Sequence, residues 1–298
     1  MATFAEAAGA GAGVSMPTIE NHTIQSFSGQ DYSWFGHDDN KTWLIALDGH
    51  GKHHSDDIPD VDLIAWLREF NWAKLMQNRG DKNPIICLEE QISSLFKSTR
   101  GIGAALSITE IIDNTKVTIW WKGDAATKIL RCNSDGEIDI VASTELPSKE
   151  DEVARFTEMG QSIPYEDGWQ VSAISESELT MRPNGIYIFT CVDKMNMSQA
   201  IGHDGLTGIV DQSLEYNLEE QYAYRIIGAS DGIWDISALE NKDVLNKFWN
   251  SSAEELVTWA VSQWYRKWVY IWGDTKVVDQ QIGDCDDVTC VVWSRALV

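Results

Sequence analysis

Leu44-Ile45-Ala46-Leu47-Asp48-Gly49-His50-Gly51 is the stretch whose reading decides the fold. Four apolar residues run into Asp-Gly-His-Gly, the pattern of a buried strand that ends in a tight turn. Glycine on either side of His50 frees the backbone and lets another group approach closely. A strand that delivers a carboxylate and an imidazole to a loop builds a site on a rigid support. The alternative is a hairpin turn in which Asp48 only bonds its own backbone.

The same grammar recurs outward from this stretch. Upstream, Thr23 to Phe27 and Tyr32 to Phe35 alternate as strands, with Ser28-Gly29-Gln30-Asp31 between them. Residues 24 to 48 therefore predict hairpin-linked strands that carry Asp31 near one end and Asp48 at another. Downstream, His53, His54, Asp56 and Asp57 fall in a polar loop. As metal ligands the two histidines are weak, because adjacent side chains point apart. Val61 to Met76 has helical spacing in Leu63, Ile64, Leu67, Phe70 and Leu75, and Ile85 to Phe96 predicts a second helix with Pro84 near its start.

Gly101 to Ile108 predicts a buried strand entered through a glycine hinge. Val117 to Trp121 and Thr127 to Arg131 predict a β-hairpin with Lys122-Gly123-Asp124-Ala125 at its tip. Ser148 to Met159 reads as a helix within the mixed, polar stretch 145 to 180, and Gly185 to Cys191 as a strand. Tyr224 to Ser230 is an apolar strand that runs into Asp231-Gly232-Ile233-Trp234-Asp235, repeating the delivery seen at Asp48. Ala253 to Trp268 predicts an amphipathic helix. The last strand, Val288 to Trp293, follows Gly283-Asp284-Cys285-Asp286-Asp287. Strands without βαβ alternation and helices in a few blocks predict an α+β fold on antiparallel sheets.

The totals set limits. The chain has 298 residues with 43% apolar, enough for a substantial core. Residues 1 to 14 are Ala/Gly-rich and predict a flexible leader; no linker divides residues 15 to 298, which predict a single domain. A net charge of −23 argues against nucleic acid or an anionic membrane as partner. Neither a spanning apolar run nor an export signal is visible in the sequence. Five scattered cysteines without a Cys-x-x-Cys pair predict a reducing, intracellular setting, cytoplasmic or nuclear. A monomer is expected. The fourteen tryptophans are read as core fillers.

Asp31, Asp48, Asp124, Asp231 and Asp286 share one setting, beside a strand end and next to Gly, Asp or another turn former. If the strand ends converge, the carboxylates repel one another unless cations compensate them. An all-oxygen set suits magnesium or manganese, and zinc is disfavoured without paired Cys/His ligands. Two such ions ~4 Å apart polarise a phosphoryl group and activate a water. His50, with an ordinary pKa near working pH, would donate a proton to the leaving oxygen. The competing reading is five unrelated turn aspartates.

In that order the chain resembles the metal-dependent type 2C serine/threonine protein phosphatases. The matching pieces are Gly29-Gln30-Asp31, Asp48-Gly49-His50-Gly51, Gly101-Ile102-Gly103-Ala104-Ala105, Gly123-Asp124-Ala125, Met197-Ser198-Gln199-Ala200-Ile201-Gly202, Ala229-Ser230-Asp231-Gly232-Ile233-Trp234-Asp235 and Asp286-Asp287-Val288-Thr289. The resemblance implies a central β-sandwich of two antiparallel sheets flanked by helices on both faces. It implies that Asp48 bridges two Mg2+ or Mn2+ ions, that the Gly49 carbonyl joins one, and that Asp231 and Asp286 bind the other. It further implies that Asp31 supports the site through waters, that Asp124 holds a third, weaker ion, and that His50 is the general acid. A metal-bridging hydroxide would attack phosphoserine or phosphothreonine of a phosphoprotein directly. The departures lie in the phosphate-gripping groups. Ser26 and Gln199 stand where the family carries basic residues, Asp287 stands for an asparagine, and Gly-Asp-Ser-Arg is here Gly-Asp-Ala-Ala. Weaker phosphate binding is expected unless Lys52, Lys122 or His22 substitutes, and the alternative is a catalytically weak pseudophosphatase that binds phosphoproteins.

Overall fold

Trp43 to Leu47 form a strand buried on both faces, which is why the run is apolar throughout instead of alternating. Trp43, Ile45 and Leu47 pack under helices, whereas Leu44 faces a second sheet. The computed structural model describes residues 16–25, 29–51, 62–99, 101–145, 148–160, 165–175, 177–189, 194–195, 199–272, 275–281 and 285–297. The first part of the chain runs β1 (Thr18–Ile24), β2 (Tyr32–Asp38), β3 (Lys41–Gly51), α1 (Leu63–Glu69), α2 (Trp72–Asn78), α3 (Pro84–Leu95), β4 (Ile102–Ile112), β5 (Lys116–Lys122), β6 (Ala126–Cys132), β7 (Ile138–Ser143) and α4 (Lys149–Glu158). It continues through β8 (Tyr165–Ala173), β9 (Glu178–Phe189), β10 (Lys194–Met195), β11 (Ile201–Gly202), β12 (Ser213–Asn217), β13 (Ala223–Ala229), α5 (Asp231–Trp234), α6 (Lys242–Asn250), α7 (Ala253–Trp264), β14 (Lys267–Trp272), β15 (Thr275–Gln281) and β16 (Val288–Arg295).

Two antiparallel sheets stack. One has the order β1-β16-β13-β6-β7 and the other β12-β5-β4-β3-β2, with β11 added beside β4. Between them lie Leu44, Ile111, Val117 and Ile119 from one sheet and Ile129, Ile226, Val291 and Trp293 from the other. The helices α1, α2 and α3 cover the outer face of the second sheet through Leu67, Trp72, Ile85 and Leu88. On the other side α6 and α7 cover β13 and β16 through Phe248, Leu256, Val257 and Ala260. This is the helix-sheet-sheet-helix sandwich that the resemblance implied. The tryptophans fill it as expected: Trp43, Trp72, Trp268 and Trp293 are among its largest fully buried side chains.

Several expectations need correction. The segments Val117–Trp121 and Thr127–Arg131 are strands, but they do not form a hairpin. β5 pairs with β4 and β12, while β6 pairs with β13 and β7, so the turn between them crosses from one sheet to the other. The helix expected over Val61–Met76 is two helices. Phe70 is extended, and the Asn71 side chain accepts from Lys74 N to start α2 afresh. The helix expected to reach Trp268 stops at Trp264, and Trp268 belongs to β14. The first strand starts at Thr18 and ends at Ile24; Ser26 and Phe27 lie outside the described residues, as does Cys191.

A third sheet, β10-β9-β14-β15 with β8 beside β9, was not expected from the polar stretch 145 to 180. Its long strand β9 carries Pro183, Asn184 and Gly185, which break a strand pattern in sequence. Here β14 and β9 run parallel.

Candidate metal centre

Asp48 lies on the same face of β3 as Leu44 and Ala46, so it projects between the sheets at the open end of the sandwich. β13 ends at Ala229, Ser230 precedes the short helix α5, and Asp231 is its first residue. Asp124 sits in the crossing turn between β5 and β6. These three residues, 183 positions apart at the extremes (231 − 48), each offer a carboxylate oxygen within 4.8 Å of the others.

The loops close because glycines follow the aspartates. A Cβ on Gly49 would lie 2.6 Å from the Gln30 carbonyl oxygen, and one on Gly232 would lie 2.2 Å from the Asp287 carbonyl oxygen. Neither loop pair could approach this closely with a larger residue. Gln30 N donates to Asp287 Oδ2 at 2.8 Å, tying the loop that holds Asp31 to the loop that holds Asp286. Arg68 donates to the carbonyls of Gly29 and Asp31 from below. Asp287, a departure from the resemblance, is therefore a clasp between loops.

The electrostatics follow from the crowding. Burial and the charges of Asp231, Asp31 and Asp124 push the carboxyl of Asp48 well above the usual carboxylate range. Burial, then neighbouring charge, raises Asp31 and Asp235 well above that range too. Asp124 and Asp231 rise to about 6, and Asp286 to about 7, burial being the first cause in each. Among the described residues, Asp31 Oδ2, Asp48 Oδ2 and Asp124 Oδ1 are buried without a hydrogen-bond partner. Orphaned buried carboxylate oxygens in an all-oxygen set fit a hard cation.

Of the predicted residues, then, Asp48, Asp124 and Asp231 meet directly. Asp31 and Asp286 stand close enough to feel Asp231. Gly49 lies against Gln30. His50 continues β3 opposite Gly103.

Two residues were missed. Asp235 closes the Ser-Asp-Gly-x-Trp-Asp stretch and feels Asp231, Asp124 and Asp286. Its one-turn spacing from Asp231 was the available signal. His203 sits in a strained turn (φ 47°), with its Nε2 2.8 Å from His50 Nε2 and the rings 15° from parallel. No sequence signal links these histidines. The expectation of a working-pH pKa for His50 is corrected here: burial, with the His203 charge second, lowers it to about 3.

Lys122 does not replace the missing cations. It is fully buried and donates to Glu89 Oε1 at 2.5 Å and to the Gly208 carbonyl at 2.6 Å. Gln199 is also committed inside, donating to Glu152 Oε1 and accepting from Gln212. Ser26, Lys52, His53, His54, Asp56 and Asp57 lie outside the described residues.

No family model and no curated protein sequence matches the chain. Solved structures do. A serine-threonine phosphatase 2C from Toxoplasma gondii superposes with a TM-score of 0.55 at 13% identity, covering 95% of this chain and 96% of that one. The chain has the type 2C phosphatase fold. A photosystem II phosphatase, PBCP, matches at TM-score 0.54 and 14% identity over 95% of this chain and 100% of its own. The S. agalactiae serine/threonine phosphatase matches at 0.50 and 16% over 94% and 100%. At this identity the likeness shows the type 2C phosphatase fold alone. Among the described residues no helix is long and apolar enough to cross a membrane.

Proposed function

We propose that the protein is a metal-dependent protein serine/threonine phosphatase. The observation that carries this reading is the convergence of Asp48, Asp124 and Asp231 within 4.8 Å, Asp48 buried and the other two half-buried, where neighbouring charge raises the Asp48 pKa. Asp48, Asp231 and Asp286, with the Gly49 carbonyl, would hold two Mg2+ or Mn2+ ions. Asp31 would support them, and Asp124 with Asp235 would hold a third, weaker one. Such ions would polarise a phosphoryl group and lower the pKa of an attacking water.

The chain's own residues do the rest. The loop clasp Gln30–Asp287 and the Arg68 contacts fix the carboxylates relative to one another. His50, neutral in the metal-free protein, gains an anionic neighbour when a phosphoryl dianion binds, which raises its pKa and readies it to protonate the leaving oxygen. Residues 15 to 298 would act as one catalytic domain on a phosphoprotein.

The test is hydrolysis of a phosphoserine peptide with manganese, its arrest by EDTA, and an Asp231→Asn control. Turnover no greater than that control would overturn the reading. The commitment of Gln199 and Lys122 to internal partners favours one second reading, a pseudophosphatase that retains metal without turnover. Manganese binding by calorimetry with no hydrolysis would select it.

A further inference from the structure

We propose that Lys128 is the cation that binds the phosphoryl group of the substrate, in place of the basic residues this chain lacks. The inference rests on the metal reading above and names a residue outside it. Lys128 lies four positions after Asp124 on β6, where it faces away from the sandwich interior. Together with Asp124, Asp231 and Asp235 it lines a cavity of about 680 Å³, and it is the one Lys or Arg among the described lining residues.

Its position is built. β6 is held on both sides, Lys128 standing opposite Ile227 of β13 and Ser143 of β7. Its Nζ is 5.1 Å from the centroid of the Trp234 ring and 3.1 Å from Ser143 Oγ. The Trp234 ring is itself fixed, because its Nε1 donates to the carbonyls of Ala126 and Ala229. An ammonium has three donors, and among the described residues one is used, by Ser143 Oγ.

Among the described residues, other cations near the site are spent. Arg68 holds the carbonyls of Gly29 and Asp31, Lys122 holds Glu89, and Arg155 holds Glu152 and the Thr207 carbonyl. Burial lowers the pKa of Lys128, with the Glu145 charge opposing, so the ammonium gains from an anion at its side. Glu145, also on the cavity wall, supplies that charge in part. Lys128 shares the cavity with Asp124, Asp231 and Asp235, so cations held by those carboxylates and the ammonium would both be satisfied by an anion placed between them. A phosphoryl oxygen has that chemistry.

The test measures inorganic phosphate binding by calorimetry to the full chain loaded with manganese. Lys128→Gln should weaken phosphate about tenfold or more. Lys128→Arg should keep affinity within about threefold, since charge and reach survive. Manganese affinity should be unchanged in both, which also reports that each variant is folded. Lys128→Met, which keeps the stem on Trp234, serves should the glutamine variant fail to fold. Wild-type phosphate affinity in Lys128→Gln or Lys128→Met would overturn the proposal. So would a loss in Lys128→Arg as large as in Lys128→Gln, which would point to packing on Trp234. A wild-type protein that binds manganese but not phosphate would refute Lys128 and leave the metal reading standing. One that binds no manganese would sink the metal reading, and this inference with it.

Discussion

Replacing Asp231 with asparagine should stabilise the metal-free protein. A carboxylate whose folded pKa is raised adds stability that is present below its unfolded value and lost as pH rises through its folded value. For Asp231 these limits are 3.8 and about 6. The difference of roughly two units corresponds to about 3 kcal/mol lost above pH 6. Asp231 is partly open to the cavity and its ionisation depends on that of Asp48, so a single substitution recovers part of this, about 1 to 3 kcal/mol. For a chain of this size that raises the melting temperature by about 2 to 6 °C. The assay is thermal unfolding in EDTA at pH 7.5 and pH 5. Asp231→Asn should melt above wild type at pH 7.5, and the gap should narrow at pH 5. Manganese at about 100 times its Kd should then stabilise wild type by about 2.7 kcal/mol and the variant far less, reversing the order. A variant that melts below wild type in EDTA at pH 7.5 would refute the reasoning, because Asp231 would then be held by favourable contacts and not by crowding.

Other outcomes follow from the same geometry. His50→Ala should lower kcat on a phosphoserine peptide by about 10² to 10⁴, yet affect p-nitrophenyl phosphate far less, because nitrophenolate leaves without a proton; equal losses on both would exclude an acid role. Lys122→Met leaves Glu89 uncompensated beside buried apolar surface and should cost about 3 to 5 kcal/mol in urea unfolding, with much of it regained in Lys122→Met/Glu89→Leu. An unchanged urea midpoint in the single variant would contradict this. Gly103→Ala would put a Cβ 2.4 Å from His203 Cδ2 and 2.5 Å from the Ile201 carbonyl. It should cost about 1 to 3 kcal/mol, and a wild-type melting curve would show that the turn yields freely.

The sequence carried the central strands because β3, β13 and β16 are apolar on both faces, a pattern that local reading detects. The pairing of β5 with β6 was misread for a local reason as well. Gly123-Asp124-Ala125 has the length and composition of a hairpin tip, and only burial distinguishes it from one. Ala125 is fully buried, and a Cβ on Gly123 would lie 2.5 Å from the Ala105 Cβ, so the turn sits inside the molecule where a hairpin tip would meet water. Helix α2 begins at Trp72 because the Asn71 side chain caps a new start; the periodicity of Leu67, Phe70 and Leu75 runs through that break and hides it. His203 was invisible for a different reason. Its contact with His50 spans 153 positions and depends on β11 adding to the edge of β4, a pairing of only two residues.

The carboxylates were legible because each is followed by a residue that permits a tight turn, but the sequence could not say that they meet. Their meeting has a thermodynamic consequence. Burial raises the pKa of Asp48, Asp124 and Asp231, and neighbouring charge adds to it, from Asp231, Asp31 and Asp124 at Asp48, from Asp286 at Asp124 and from Asp124 at Asp231, so in the metal-free protein each ionisation opposes folding. Loop closure alone does not need these charges. The clasp from Gln30 N to Asp287 Oδ2 and the close backbone contacts at Gly49 and Gly232 already draw the loops together. An asparagine could accept the same backbone hydrogen bonds without the repulsion. Acidic side chains crowded at the mouth of the sandwich oppose folding when ionised and would stabilise it with a cation among them, so their chemistry suits a bound cation better than it suits the fold alone.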